Sequence, residues 1–153
     1  MEIALQLADW AAYWGEVPVG AVVLDAQRRI IGMGVNQTIY HHDPTQHAEL
    51  VALRQACAFM GNYRLPAAQL IVTLEPCMMC MGAALHARLG RIVYGATDPK
   101  TGVCESVLEQ QQYQSLNHHT EIVAGVLHER CGEQLRNFFR QRRADRKQQT
   151  NNG

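Results

Sequence analysis

Residues 47–49 read His-Ala-Glu, and residues 76–80 read Pro-Cys-Met-Met-Cys. The second run opens a helix, because proline is tolerated in a first turn, where its missing N–H costs nothing. Cysteines three positions apart at a helix start present both sulfurs to one ion, and the helix N-terminus favours their thiolate forms. Two sulfurs and one imidazole, from Cys77, Cys80 and His47, leave a fourth tetrahedral position open. That is the arrangement of a catalytic zinc, whereas a structural zinc takes a fourth protein ligand. Glu49 stands about 200° round a regular helix from His47. The two share one site only if His47 lies in an irregular first turn, which is where Pro44 puts it. Zinc lowers the pKa of bound water to about 7, and a neighbouring carboxylate then moves that proton to a substrate nitrogen. Such general acid–base work is worth roughly 10²–10⁴ in rate.

The rest of the chain reads as strands alternating with helices. Ile3, Leu7, Trp10, Ala11 and Trp14 recur at three- and four-residue intervals and predict a first amphipathic helix with these residues inward. Val17–Leu24 and Arg29–Val35 predict a hairpin. Asn36–Pro44 reads as a polar loop, followed by a helix from near Thr45 to Phe59. Leu70–Leu74, Arg91–Ala96 and Glu121–Val126 predict three more strands, with a methionine-rich helix over Cys77–Arg88 after the first. A Gln-rich stretch precedes the last strand. A final helix begins near Leu127, its apolar stripe ends at Phe139, and residues from Thr150 on should fray. The alternation predicts a layered α/β domain, one domain over residues 1–153.

The 153 residues carry 14 basic and 14 acidic side chains, so the formal net charge is zero. Balance hides asymmetry: residues 136–153 carry six basic groups and one acid, and residues 1–135 are net acidic. A basic helix end over 136–150 on an acidic body points to a polyanionic partner, although charge runs are often only a solvated face. Five unevenly spaced cysteines do not form a secreted disulfide framework. No apolar run is long enough for a membrane span and no signal peptide is evident, so a reduced, cytoplasmic chain is expected. Cys57 and Cys131 read as core residues and Cys104 as a loop thiol. Tyr40, Tyr63 and Tyr94 are candidates for stacking on bases, against the plainer reading as half-buried structural tyrosines.

A His-x-Glu separated by about thirty residues from Pro-Cys-x-x-Cys is the signature of zinc nucleobase deaminases. From Ala4 to Lys147 the chain resembles the cytidine-deaminase-like superfamily, and within it the bacterial tRNA-specific adenosine deaminases. The resemblance rests on Gly15-Glu-Val-Pro-Val-Gly20, Gly34-Val-Asn36, His42-Asp-Pro-Thr-Gln-His-Ala-Glu49, Asn62-Tyr-Arg-Leu65, Val72-Thr-Leu-Glu-Pro-Cys-Met-Met-Cys80, Tyr94-Gly-Ala-Thr-Asp98, Lys100-Thr-Gly102 and Phe138-Phe-Arg140. It implies a three-layer α/β/α fold with a five-stranded mixed sheet, one zinc ion per subunit and a homodimer. It implies conversion of adenosine to inosine at the wobble position of a tRNA anticodon stem-loop. His47, Cys77 and Cys80 would hold the zinc and Glu49 would shuttle protons. Asn36 would meet the base or its sugar edge, and the Ala48 and Cys77 N–H groups would face the attacking oxygen. Asp98 and Lys100 would touch the RNA strand, and Arg142 and Arg143 its phosphates. Glu105 and His119 depart from the family pattern beside these RNA contacts. A guanine or nucleoside deaminase, which shares the Asp-Pro-Thr-x-His-Ala-Glu run, is the enzymatic rival. A non-catalytic zinc-stabilised RNA-binding module is the other, and it would have no use for Glu49.

Overall fold

The structure is a computed structural model that describes residues 1–108 and 115–151. Helix α1 (Glu2–Tyr13) leads into strands β1 (Gly20–Leu24) and β2 (Ile30–Val35), then the one-turn helix α2 (Thr38–His41) and helix α3 (Ala48–Met60). Strand β3 (Gln69–Leu74), helix α4 (Met78–His86), strands β4 (Arg91–Ala96) and β5 (Glu121–Val123), and the long helix α5 (His128–Asn151) complete it. The sheet order is β2-β1-β3-β4-β5. β1 runs antiparallel to β2 and β3, while β3, β4 and β5 are parallel. α1 and α5 cover one face, and α3 and α4 the other, which gives the three-layer α/β/α arrangement with a five-stranded mixed sheet. The core lies between the sheet and α3 and α4, around Val72, Leu70, Tyr94, Ala52, Leu53, Cys80 and Met81.

Several elements depart from the sequence reading. The expected loop after β2 contains α2, and α3 starts at Ala48 rather than near Thr45, because Asp43 takes up Thr45 and Gln46 in a turn of its own. The fifth strand ends at Val123, although the Val126 N–H still reaches the Tyr94 carbonyl. Helix α5 continues past Phe139 as one rod to Asn151, so Thr150 is helical, its hydroxyl bonded to the Arg146 carbonyl. Residues 109–114, most of the Gln-rich stretch, and residues 152–153 lie outside the described residues.

The largest correction concerns α1. Its buried face is Ala4, Leu5, Ala8 and Ala11, and Trp10 is 56% exposed, with Ile3 and Trp14 also turned outward. The reason is the backbone of β1. A Cβ on Gly20 would lie 2.0 Å from the Ala4 carbonyl oxygen and 2.7 Å from the Ala8 N, so helix and strand touch main chain to main chain where Ala4 and Ala8 stand, and a bulky side chain has no room there. Gly34 does the same under α3, where a Cβ would fall 2.1 Å from the Ala48 carbonyl oxygen. Close approach of this kind is expected to make Gly34→Ala cost about 1–3 kcal/mol, as overpacking does. Gly82, in the interior of α4, has nothing within 4 Å of the point where a methyl group would stand. Gly82→Ala should therefore raise stability by roughly 0.5–1 kcal/mol. Thermal melts of the two variants check both signs.

Candidate metal centre and active site

Four connections meet at one edge of the sheet: the segment entering β1 and those leaving β2, β3 and β4. Ligands of open α/β sheets gather at such strand ends. His47 is the N-cap of α3, with extended backbone (φ −73°, ψ 148°), and so stands outside the helix that carries Glu49. Cys77 is the N-cap of α4, also extended (φ −78°, ψ 172°), and Cys80 follows in the first turn. Both helices thus point their positive ends at one spot, where negative charge on sulfur is stabilised.

The three donors converge. His47 Nδ1 lies 3.6 Å from Cys77 Sγ and 3.6 Å from Cys80 Sγ, and the three ligand atoms are within 4.8 Å of one another. Among the described residues this is the group of such side chains able to hold a metal ion. Zinc bonds to sulfur and imidazole nitrogen at tetrahedral angles separate the two donors by about 3.5 Å, so the site fits that ion. Among the described residues no equivalent group forms around His41 and His42.

The Cys80 thiol bonds to Cys77, whose pKa falls to about 4 although burial opposes it, and His47 adds to the fall. Cys80 is pushed up in turn, by that same bond and by burial. The bond to Cys77 raises the His47 pKa against burial. Glu49 is 4% exposed, and burial raises its carboxyl pKa above the ordinary carboxylate value. A carboxyl that resists ionisation, placed beside metal ligands, is suited to accept and return a proton.

The other expected residues are placed as follows. Asn36 is buried and its Oδ1 accepts the Ala48 N–H at 2.9 Å. That N–H, expected to face the attacking oxygen, is engaged by Asn36, which ties the end of β2 to the start of α3. The Asp98 carboxylate turns inward onto the Lys100 and Thr101 N–H groups and the Thr101 hydroxyl. Lys100 is exposed, and an isolated bridge joins Gly102 to Cys77, so this loop is pinned to the metal site. Arg142 and Arg143 line one groove on α5 together with Phe139 and Arg146. Arg142 covers the Phe138 ring at 5.5 Å. Arg143 shares a groove of about 780 Å³ with Asp98, Lys100, Phe139 and Arg140. Cys131 is core and Cys57 half-buried. Cys104 is a free but buried thiol, pushed up to about 12 by burial.

Two residues that organise the site carried no role in the sequence reading. Glu16, 2% exposed, caps α2: Oε1 accepts the Tyr40 N–H at 2.8 Å and the Ile39 N–H at 2.9 Å, and Oε2 accepts the Thr38 hydroxyl at 3.2 Å. Glu75, equally buried, accepts N–H bonds from Asp98, Cys104, Glu105 and Ser106 at 2.8–3.0 Å, and the Ser106 hydroxyl as well. The available signal was an acid inside an apolar run, Val72-Thr-Leu-Glu75, since buried carboxylates need saturated hydrogen bonding. Burial raises the Glu75 pKa, but the bonds from Ser106, Glu105 and Asp98 outweigh it and the net shift is downward. A lowered folded pKa contributes stability that is complete above the unfolded value, near 4.5, and is lost as pH falls through the lower folded one. Glu75→Gln should therefore cost about 2–4 kcal/mol at neutral pH. In denaturant titrations the gap from the wild type should begin to narrow as pH falls below 4.5 and close as it passes the lower folded value.

Such a site on such a sheet defines a class, the deaminase domains. The model of the MafB19-like deaminase family matches residues 1–143. A tRNA-specific adenosine deaminase of Haemophilus influenzae is 49% identical over 147 residues, covering 96% of this chain and 85% of that protein. A solved tRNA:A34 deaminase, active at the wobble position of transfer RNA, is 41% identical with a TM-score of 0.84, covering 88% of this chain and 97% of that one. The guanine deaminase of Nitrosomonas europaea shares the fold (TM-score 0.77) at 20% identity, covering 90% of this chain and 81% of that one. The chain belongs to the tRNA-specific adenosine deaminase family.

Proposed function

We propose that this chain is a zinc-dependent hydrolytic deaminase that converts adenosine to inosine at the wobble position of a tRNA anticodon stem-loop. The observation that carries the reading is the buried Glu49 carboxyl beside the His47–Cys77–Cys80 trio. A structural zinc in a binding module takes four protein ligands and has no use for such an acid. Adenosine and tRNA are taken from the relatives' activities. Zinc, one per subunit, would be held by His47, Cys77 and Cys80, and would supply a Lewis acid that makes water acidic near neutrality. Glu49 takes a proton from the attacking water, delivers it to the purine N1, and later assists the departing amine. Asn36 and Ala48, linked by their hydrogen bond, fix the pocket wall against which the base lies. Lys100 and Arg143 line the groove that receives the flanking strand, and Arg142 and Asp98 complete the RNA-facing surface. Among the described residues no helix is long and apolar enough to cross a membrane. The proposal includes a cytoplasmic location and one deaminase domain spanning residues 1–153. It also includes a homodimer, for which exposed Phe59, Met60 and Met78 offer apolar surface.

Comparison of turnover on an anticodon stem-loop, free adenosine and free guanine tests the reading. Inosine formed at the wobble position, with little turnover of the free compounds, is the expected result. Efficient turnover of guanine and none of the RNA overturns it in favour of the purine-base rival.

A further inference from the structure

The segment from Asn36 to His47 forms a closed loop. Its neck is fastened by the Gln37 N–H on the Gln46 carbonyl at 3.0 Å and by Asn36 on Ala48. The neck therefore carries both a pocket residue and a metal ligand. Its tip is α2, whose first turn is held by a carboxylate from outside the loop, Glu16. Burying an acid is costly unless its oxygens are saturated, and here that acid is spent on placing one turn of helix. The side chain this turn presents is Tyr40, 79% exposed. The His41 ring meets it at 88° with centroids 4.9 Å apart. An edge-to-face contact occupies at most one face of the tyrosine and leaves the other open.

Among the described residues the other exposed tyrosines are differently placed. Arg64 covers the Tyr63 ring at 5.2 Å, and Tyr13 packs against Trp10 on α1. The one acid of this loop, Asp43, bonds to Thr45 and Gln46, and Glu16, which holds the turn from outside, is buried. The surface beside Tyr40 offers Ile39 and His41, both exposed. Tyr40 follows Asn36 by four residues, within the loop whose two ends are fastened at the candidate site.

We infer that Tyr40 is a seat on which an unpaired base next to the reacting nucleotide stacks, with Glu16 as its positioning residue. The inference rests on the RNA reading above. Aromatic side chains hold single-stranded nucleic acid in this way because every base has a π-face.

The test is steady-state kinetics on an anticodon stem-loop for the wild type, Tyr40→Ala, Tyr40→Leu and Tyr40→Trp. Matched RNAs carry an abasic nucleotide on one or the other side of the target adenosine. Tyr40→Ala and Tyr40→Leu should raise KM about five- to hundredfold with kcat nearly unchanged, and Tyr40→Trp should restore it. One of the two abasic RNAs should show the same KM defect with the wild type and no further loss with Tyr40→Ala. Normal wild-type turnover with an unchanged KM in Tyr40→Ala overturns this inference alone, as does additive loss on both abasic RNAs. A wild type that neither binds nor deaminates the stem-loop overturns the proposed function and this inference with it.

Discussion

Glu49→Gln is expected to lower deamination by about 10²–10⁴ while metal content and melting temperature hold. The substitution keeps the shape of a side chain that is 4% exposed and removes only its ability to carry a proton. Burial already biases this carboxyl toward its neutral form, so an amide in the same place adds no large desolvation cost. Structural and chemical roles thus separate in one variant. Single-turnover rates on the stem-loop, metal analysis and a thermal melt decide between them. A variant that melts early or loses its metal would show that Glu49 supports the fold; one that retains full rate would remove it from the chemistry.

Metal removal should have the second largest effect. Exhaustive chelation is expected to abolish turnover and to destabilise the chain, and stoichiometric zinc should restore both. Ligand bound only by the folded state contributes about 4 kcal/mol when free metal exceeds Kd a thousandfold. At roughly 2–4 °C per kcal/mol for a chain of this size, chelation should lower Tm by about 8–16 °C. Cys80→Ser should resemble the chelated protein and fail to recover. Affinity should also rise with pH, because the neighbouring Cys77 and burial raise the Cys80 thiol, and a metal takes it only when its proton has left. Undiminished activity after chelation, verified by metal analysis, would exclude a role for the trio in catalysis.

Much of this site was legible because its chemistry is local. His47, Cys77 and Cys80 each lie at or just after a helix start, and the capping physics that reads a helix start also explains why sulfur and imidazole project there. Strand β4 was read to the residue, since β-branched and aromatic side chains on a buried strand leave little choice. What stayed hidden depends on partners distant in sequence. Helix α2 is too short to be read from periodicity and is held by Glu16, more than twenty residues earlier. The loop after β4 takes its shape from Glu75, at similar remove. The face of α1 runs against periodicity for another reason. Periodicity ranks tryptophan above alanine as a core residue, but the main-chain contact at Gly20 calls for small residues at Ala4 and Ala8.

Helix α5 has a consequence for how the molecule meets a polyanion. Its last 16 residues, 136–151, form a rod about 24 Å long, and every residue from Arg140 to Thr150 is exposed. The body beneath is net negative. At 0.1 M salt, mobile ions damp electrostatic forces over about 10 Å, so the tip of the rod feels little of the body's charge. Electrically the chain divides into two parts, a cationic rod and a net-negative body, each largely screened from the other. Lowering the salt lengthens the damping distance toward that of the rod and couples the two. The association rate should then gain less from dilution of salt than the cationic tip alone would give.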